Sequence, residues 1–352
     1  MLDLAQHTIY RVQSDEDYSL NPSLFDRTNE TFSAFDYILK QGYDKWLITF
    51  SGGKDSTLTL VLALEYILKN PGKVKRIDIV YSDTLLEIPS IHEFANKFLC
   101  YIKISERLNH IPINIHIVYP ELEERFWVKV LGKGYPPPHQ KFRWCTKRLK
   151  IDPCEKAMNE FMIPNETAVL TGVRFGESNS RDQRLNASCS RGGECGQGLW
   201  FEKSKSLKVG YLAPIINWPV CEVWDYLIGF APLLGYPTGS LKKVYNGHDT
   251  RFGCWTCTVV KQDKAMARTI KQKEWTHLQP LYDFRNHLWE STRPRETRVL
   301  RKDGTVSKIK IEFRKKILKE LLSIQDITGS QLISIEEIKF IKHLWNIEKS
   351  NS

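Results

Sequence analysis

No stretch of this sequence approaches the about 20 consecutive apolar residues that a membrane-crossing helix requires. The first residues, Met1-Leu2-Asp3-Leu4-Ala5-Gln6-His7-Thr8, also lack the basic-then-apolar order of an export leader. A soluble, cytoplasmic protein with no membrane partner is the expectation. Cysteine is scarce as well. Eight cysteines in 352 residues are too few to staple a chain of this length, and several lie close together, which points to a reduced compartment and a metal site rather than a disulfide frame. No internal repeat is present. The length allows a substantial core, expected as one large α/β domain with a smaller, mainly helical part.

What is present is organised around Trp46 to Ser56, W-L-I-T-F-S-G-G-K-D-S. Trp46 to Phe50 fits a buried strand, and Leu58, Val61, Leu62, Glu65 and Leu68 recur at helical spacing, so Ser51 to Ser56 is predicted to be a strand-to-helix turn. Such a turn is a phosphate site. Gly52 and Gly53 let the backbone curl with its N–H groups inward, while the positive helix end and the Lys54 ammonium attract oxyanions. In the first helical turn Asp55 can cap N–H groups or hold a phosphate-bridging magnesium ion, and the Ser56 hydroxyl can cap. A Walker A loop is excluded, because its first glycine would fall where Leu47 or Ile48 stands.

Two more apolar runs end in similar chemistry. Ile77 to Tyr81 stops at Ser82-Asp83-Thr84, and Ala168 to Val173 runs into Thr171-Gly172-Val173-Arg174. In a doubly wound sheet, ligands lie off the carboxyl ends of the strands. Asp83 is therefore placed either to face a nucleotide or to cap the next helix. Gly172 permits close approach, and Arg174 is expected beside Lys54. Elsewhere the patterns predict helices over 31–41, 91–108, 222–230, 312–323 and 334–348, with Ser334 and Glu337 in capping-box spacing. A strand is predicted over 113–118, and a hairpin turning at Lys302-Asp303-Gly304-Thr305. Residues before 46 are expected to cover one edge of the sheet.

The net charge is +10, and its placement matters more than its size. Arg125 to Lys150 holds eight Lys or Arg and no acid, interleaved with Phe126, Trp127, Tyr135, Phe142 and Trp144; Arg293 to Lys316 holds ten against three acids. Such stretches suit either a nucleic-acid partner or a merely solvated basic surface. Gly132 to Pro138 reads as a mobile loop. Arg143, Arg148 and Lys150 bring three cations close to Cys145, a setting that binds phosphate oxygens and favours thiolate, and Arg181 continues the basic rim. Cys254 and Cys257 form the single C-x-x-C. A redox pair would want a βαβ frame. Zinc wants four N or S ligands, and an iron–sulfur cluster fed by Cys145, Cys189 or Cys195 is equally compatible with the spacing.

Taken in order, S-G-G-K-D-S, Y-S-D-T-L-L-E, F-W-V-K-V-L-G-K-G-Y-P-P-P, K-F-R-W-C-T-K-R-L-K, T-G-V-R-F-G-E-S and R-F-G-C-W-T-C-T-V-V resemble the phosphoadenosine-phosphosulfate-reductase-like ATP pyrophosphatases, and within them the DndC-like sulfurtransferases of DNA phosphorothioation. The resemblance implies an adenine-nucleotide α-hydrolase-like, Rossmann-like parallel sheet flanked by helices, a nucleotide domain over 46–235, and a C-terminal helical region with a cluster and hairpin over 236–352. It implies ATP cleavage to AMP and pyrophosphate with Mg2+, and a 4Fe-4S cluster. Partners would be DNA, a cysteine desulfurase as sulfur donor, and DndD- and DndE-like subunits. By position, Ser51 to Ser56 would hold pyrophosphate, Asp83, Gly172 and Arg174 would line the nucleotide site, and Cys145, Cys254 and Cys257 would bind the cluster. The DndC-like pattern has a further cysteine where this chain has Gly247. Cys195 is then the expected fourth ligand, with Cys189 as the alternative. A tRNA-thiolating enzyme, a reductase of activated sulfate, or a non-enzymatic DNA-binding subunit are the competing readings.

Overall fold

The computed structural model describes residues 22–175, 200–245 and 253–350. Strand β1 (Lys45–Phe50) lies near the middle of a six-stranded sheet of order β3-β2-β1-β4-β6-β5. Its neighbours β2 (Arg76–Ser82) and β4 (Thr167–Leu170) both run parallel to it, with Ile48 opposite Ile79 on one side and Leu170 on the other. Strands β3 (Ile113–Val118) and β6 (Gly210–Ala213) extend the parallel array, and β5 (Trp200–Lys203) closes it antiparallel to β6. The expected α/β class is therefore the observed one. The chain builds outward from β1 through β2 to β3, then returns to the other side of β1 with β4. That reversal opens a crevice between the carboxyl ends of β1 and β4, where ligands of open α/β sheets bind.

Helix α2 (Lys54–Lys69) follows β1 after three residues, and 13 of its 16 residues are buried. A helix buried nearly all round needs a cover on its outer side. Helix α1 (Pro22–Lys40) supplies it: Phe35 packs on Trp46 at 4.8 Å between ring centroids and on Tyr66 at 5.3 Å. Helix α1 thus lies over a face of the sheet, and its Tyr37 also meets Phe201 of the edge strand β5 at 5.6 Å; it begins nine residues before the predicted 31. The charge buried on α2 is answered locally. Glu65 takes two hydrogen bonds from Arg107, at 2.7 and 2.8 Å, and one from the Tyr236 hydroxyl at 2.7 Å, as a buried carboxylate must.

After α3 (Pro89–Ile104) and β3, the chain leaves the sheet and starts a second core. Phe126 to Val128, Val130, Leu131, Trp144 and Leu149 pack there with Trp255, and with α8 (Gln279–Ser291), α9 (Ile311–Thr328) and α10 (Ile335–Ser350). Between these come α4 (Asp152–Phe161) and the short helices α5 (Val220–Trp224), α6 (Ser240–Tyr245) and α7 (Lys264–Thr269). The proline loop read as mobile is pinned at both ends. Pro136 O accepts the Trp144 indole at 3.0 Å, Pro138 O accepts Thr258 Oγ1 at 2.7 Å, and Gly134 O accepts Ile309 N–H at 2.8 Å. The hairpin forms as β7 (Arg298–Leu300) and β8 (Val306–Ile309). The capping box of α10 is reciprocal: Ser334 N–H donates to Glu337 at 3.0 Å and Glu337 N–H to Ser334 Oγ at 3.1 Å.

Candidate nucleotide site and cysteine locus

The turn between β1 and α2 is shaped by glycine at Gly52, for two reasons. Its φ is +73°, in the left-handed region, and a Cβ there would stand 2.9 Å from the Cβ of Ala95 on α3. Hydroxyls hold the rest of the turn. Ser56 Oγ accepts the Ser51 N–H at 3.2 Å and donates to Gly53 O at 3.0 Å, and Thr57 Oγ1 donates to the same carbonyl at 2.9 Å. Ser56 thus braces the loop and does not act as N-cap. The cap is Gly53, which has no side chain to close the helix end, so the positive end of α2 faces the crevice. The Lys54 N–H donates to the Tyr245 hydroxyl of α6 at 3.0 Å.

The crevice is crossed by one carboxylate between two cations. Asp55 Oδ1 accepts Arg174 Nε at 2.6 Å and its Oδ2 accepts Lys54 Nζ at 3.1 Å, while Arg174 Nη1 donates to Trp218 O at 2.9 Å. Lys54 and Arg174 are buried. The two cations stand beside the positive end of α2, a setting that suits an oxyanion. Gly172 makes the meeting possible. A Cβ on it would lie 2.8 Å from the Asp55 carbonyl carbon and from the Ser56 nitrogen, so the loop after β4 rests directly on the first turn of α2. The structure thus brings Ser51 to Ser56, Gly172 and Arg174 together. As for magnesium, both Asp55 oxygens are taken by cations, and among the described residues no group of three His, Cys, Asp or Glu is arranged to hold a metal ion.

Asp83, at the end of β2, serves its own turn. Its Oδ1 accepts the Leu85 N–H at 2.8 Å, holding Leu85 at φ +64°, and the N-cap of α3 is Ile88. Thr84 then reaches towards the cysteines: its Oγ1 donates to Glu87 at 2.9 Å and lies 3.8 Å from Cys254 Sγ. Glu87 and Cys254 are bridged through their backbones, and Lys150 Nζ stands 3.3 Å from Glu87. Glu87, Tyr245 and Trp218 were missed by sequence reasoning. Glu87 ends the motif Y-S-D-T-L-L-E but was given no role, and Tyr245 and Trp218 reach the site through tertiary contact.

The cysteine surroundings differ from the expected cationic ones. Burial pushes the Cys145 thiol up, the nearby Cys257 acts in the same direction, and burial together with Glu87 pushes Cys254 up to about 12. The three cations expected to favour thiolate are diverted or exposed: Arg148 pairs with Glu124 and Asp152, Lys150 pairs with Glu87, and Arg143 faces solvent. Cys145 and Cys254 pack on the second core, and Cys257 N–H donates to Cys254 O at 2.9 Å. Cys257 acts on both Cys145 and Cys254, and thiols suit an iron–sulfur group in kind, but among the described residues no three of these groups are arranged to hold a metal ion. Arg181, Cys189 and Cys195 lie outside the described residues. Of the eight cations in 125–150, Arg125, Lys129, Lys133, Arg148 and Lys150 form ion pairs.

Gly172→Ala should overpack the contact with α2, costing about 1–3 kcal/mol and weakening binding of a non-hydrolysable ATP analogue at least tenfold by calorimetry. Gly239→Ala, with nothing within 4 Å, is the control. Wild-type affinity in the Gly172 variant would show that the loop is not seated on the nucleotide turn.

The pattern of the phosphoadenosine phosphosulfate reductase domain matches residues 45–260, more than half of the chain. An uncharacterised protein of Methanocaldococcus jannaschii is 27% identical over 227 residues, 63% of this chain; the match spans only 39% of that relative's length. Among solved structures, the phosphoadenylyl-sulfate reductase of Candida auris, a phosphate complex, aligns with a TM-score of 0.37 at 19% identity over 64% of this chain and 88% of its own. The FMN adenylyltransferase of Candida glabrata, in complex with FAD and inorganic pyrophosphate, aligns with a TM-score of 0.43 at 13% identity over 90% and 88%. No helix among the described residues is long and apolar enough to cross a membrane. The match over 45–260 takes in both β1 and β4 and the turns that follow them, and the chain belongs to the phosphoadenosine phosphosulfate reductase domain family.

Proposed function

We propose that this chain cleaves ATP between its α and β phosphates and transfers AMP to a non-bridging oxygen of a DNA phosphodiester, so that sulfur can replace that oxygen. The observation that carries the reading is the Lys54–Asp55–Arg174 arrangement at the β1/β4 crevice. Asp55 holds two buried cations where departing pyrophosphate gathers charge, and the uncapped first turn of α2 offers N–H groups to the same oxygens. The phosphodiester oxygen attacks the α phosphorus and pyrophosphate leaves. A sulfide then forms the P–S bond and AMP departs with the oxygen; where a persulfide attacks instead, an external dithiol reductant cleaves the resulting S–S bond and releases the carrier thiol. A cysteine desulfurase would supply the sulfur, and DndD- and DndE-like subunits would present the DNA. A 4Fe-4S cluster would be held by Cys145, Cys254 and Cys257 with Cys195 or Cys189, and would supply a binding point for sulfur.

Lys54→Ala and Arg174→Ala should each lower AMP formation by about two to three orders of magnitude, the usual effect of removing one transition-state donor. Turnover at the wild-type rate in either would overturn the pyrophosphatase reading, and a chain that releases no pyrophosphate with its partners present would be a binding subunit. Nuclease digests of host DNA and tRNA, read by mass spectrometry, identify the acceptor. Sulfur in DNA dinucleotides is expected, and sulfur confined to tRNA would move the activity to tRNA thiolation.

For the cluster, anaerobically purified protein should carry iron and acid-labile sulfide. Cys254→Ser or Cys257→Ser should lose it, while Cys154→Ser and Cys221→Ser should not, since Cys154 packs beside Met158 on a separate small core and Cys221 is exposed. Colourless protein with stoichiometric zinc would contradict the assignment.

A further inference from the structure

A cavity of about 660 Å3 lies between the proline loop, the segment after Cys257, helix α8 and the hairpin, within the roughly 300–1,000 Å3 typical of ligand sites. Its walls bring together the two basic stretches of the sequence: Lys141 comes from the first, Arg293 and Arg298 come from the second, and Lys261 joins them. Among the described residues no carboxylate lines it. Most cations of the first stretch are neutralised elsewhere, yet these four form no ion pair among the described residues. Arg298 is the most telling. It is only 9% exposed, and its guanidinium donates to neutral acceptors, Ser307 O at 2.8 Å from Nε and Thr292 O at 3.4 Å from Nη1. A buried cation with no counter-charge is costly, and burial pushes its pKa down accordingly. Trp289 adds a second unanswered group. Arg293 lies 3.8 Å over its ring, and its indole N–H is buried with no acceptor among the described residues.

We propose that this cavity binds the phosphodiester backbone of the nucleic-acid acceptor. The inference rests on the proposed function for its choice of ligand, and on the charge imbalance for the site itself. Anionic phosphate oxygens would supply the missing counter-charge to Arg298 and meet the exposed Arg293. The volume exceeds what a lone inorganic phosphate would fill. Position fits as well. Thr258 lines the cavity, while Cys254 is bridged to Glu87 beyond the end of β2. Four residues span at most about 14 Å, so the strand-end side of the sheet and the cavity are a few nucleotides apart at most.

The test uses the full chain and two fluorescein-labelled probes, a DNA duplex of mixed sequence and a tRNA, with affinity read by anisotropy across a salt series. Lys261→Ala/Arg293→Ala, both exposed positions, should melt like wild type, bind the duplex at least tenfold more weakly, and show a log K against log salt slope shallower by about two. Lys339→Ala/Lys342→Ala, removing two exposed cations of α10, should match wild type. Unchanged binding in the first double variant, or an equal loss in the second, would overturn the site. A loss seen with tRNA and not with DNA would keep the phosphodiester site and change its source. Cavity-dependent binding by a chain that makes no AMP would remove the proposed activity and leave this site standing.

Discussion

The site depends on a single carboxylate shared by two buried cations. Asp55 faces Lys54, its neighbour in sequence, and Arg174, 119 residues later. Without the carboxylate, the two cations would repel one another in a poorly solvated crevice, and a buried charge that loses its partner is expensive. With it, the end of β4 is tied to the first turn of α2 beside the helix's positive end. Gly172 permits the approach, and Trp218 O fixes the far side of Arg174. The sheet order supplies the place, because the chain proceeds from β1 to β2 on one side and returns to β4 on the other.

Much of this was legible because it is local. A strand, two glycines, Lys-Asp-Ser and a helical apolar period stand in consecutive residues, and the capping box at Ser334 and Glu337 needs a span of only four. Strand Ile113–Val118 and the hairpin were readable for the same reason. What sequence could not give is distant pairing. Arg125 meets Glu336 across 211 residues and Lys150 meets Glu87, while Lys129, Lys133 and Arg148 pair with Glu123, Glu124 and Asp152 just outside the stretch. The proline loop reads as mobile in isolation and is held by Trp144 and Thr258. Tyr245 carries no motif at all, yet its hydroxyl sits on the Lys54 amide.

The cysteine locus shows a further consequence of packing. Cys145 and Cys254 lie against the second core, where desolvation favours the neutral thiol. Nearby cations do not reverse this, because Lys150 and Arg148 already face carboxylates. Thiols held this way become thiolates most readily when a metal cation takes the proton's place.

Phosphorus NMR of the products that wild-type chain forms from ATP bears most directly on the two-cation crevice. With DNA, a sulfur donor and the partner subunits present, attack at the α phosphorus followed by departure of AMP requires AMP and pyrophosphate in equal amounts. ADP with orthophosphate would place the cleaved bond one phosphate away and contradict the assignment of Lys54, Asp55 and Arg174 to a pyrophosphate leaving group.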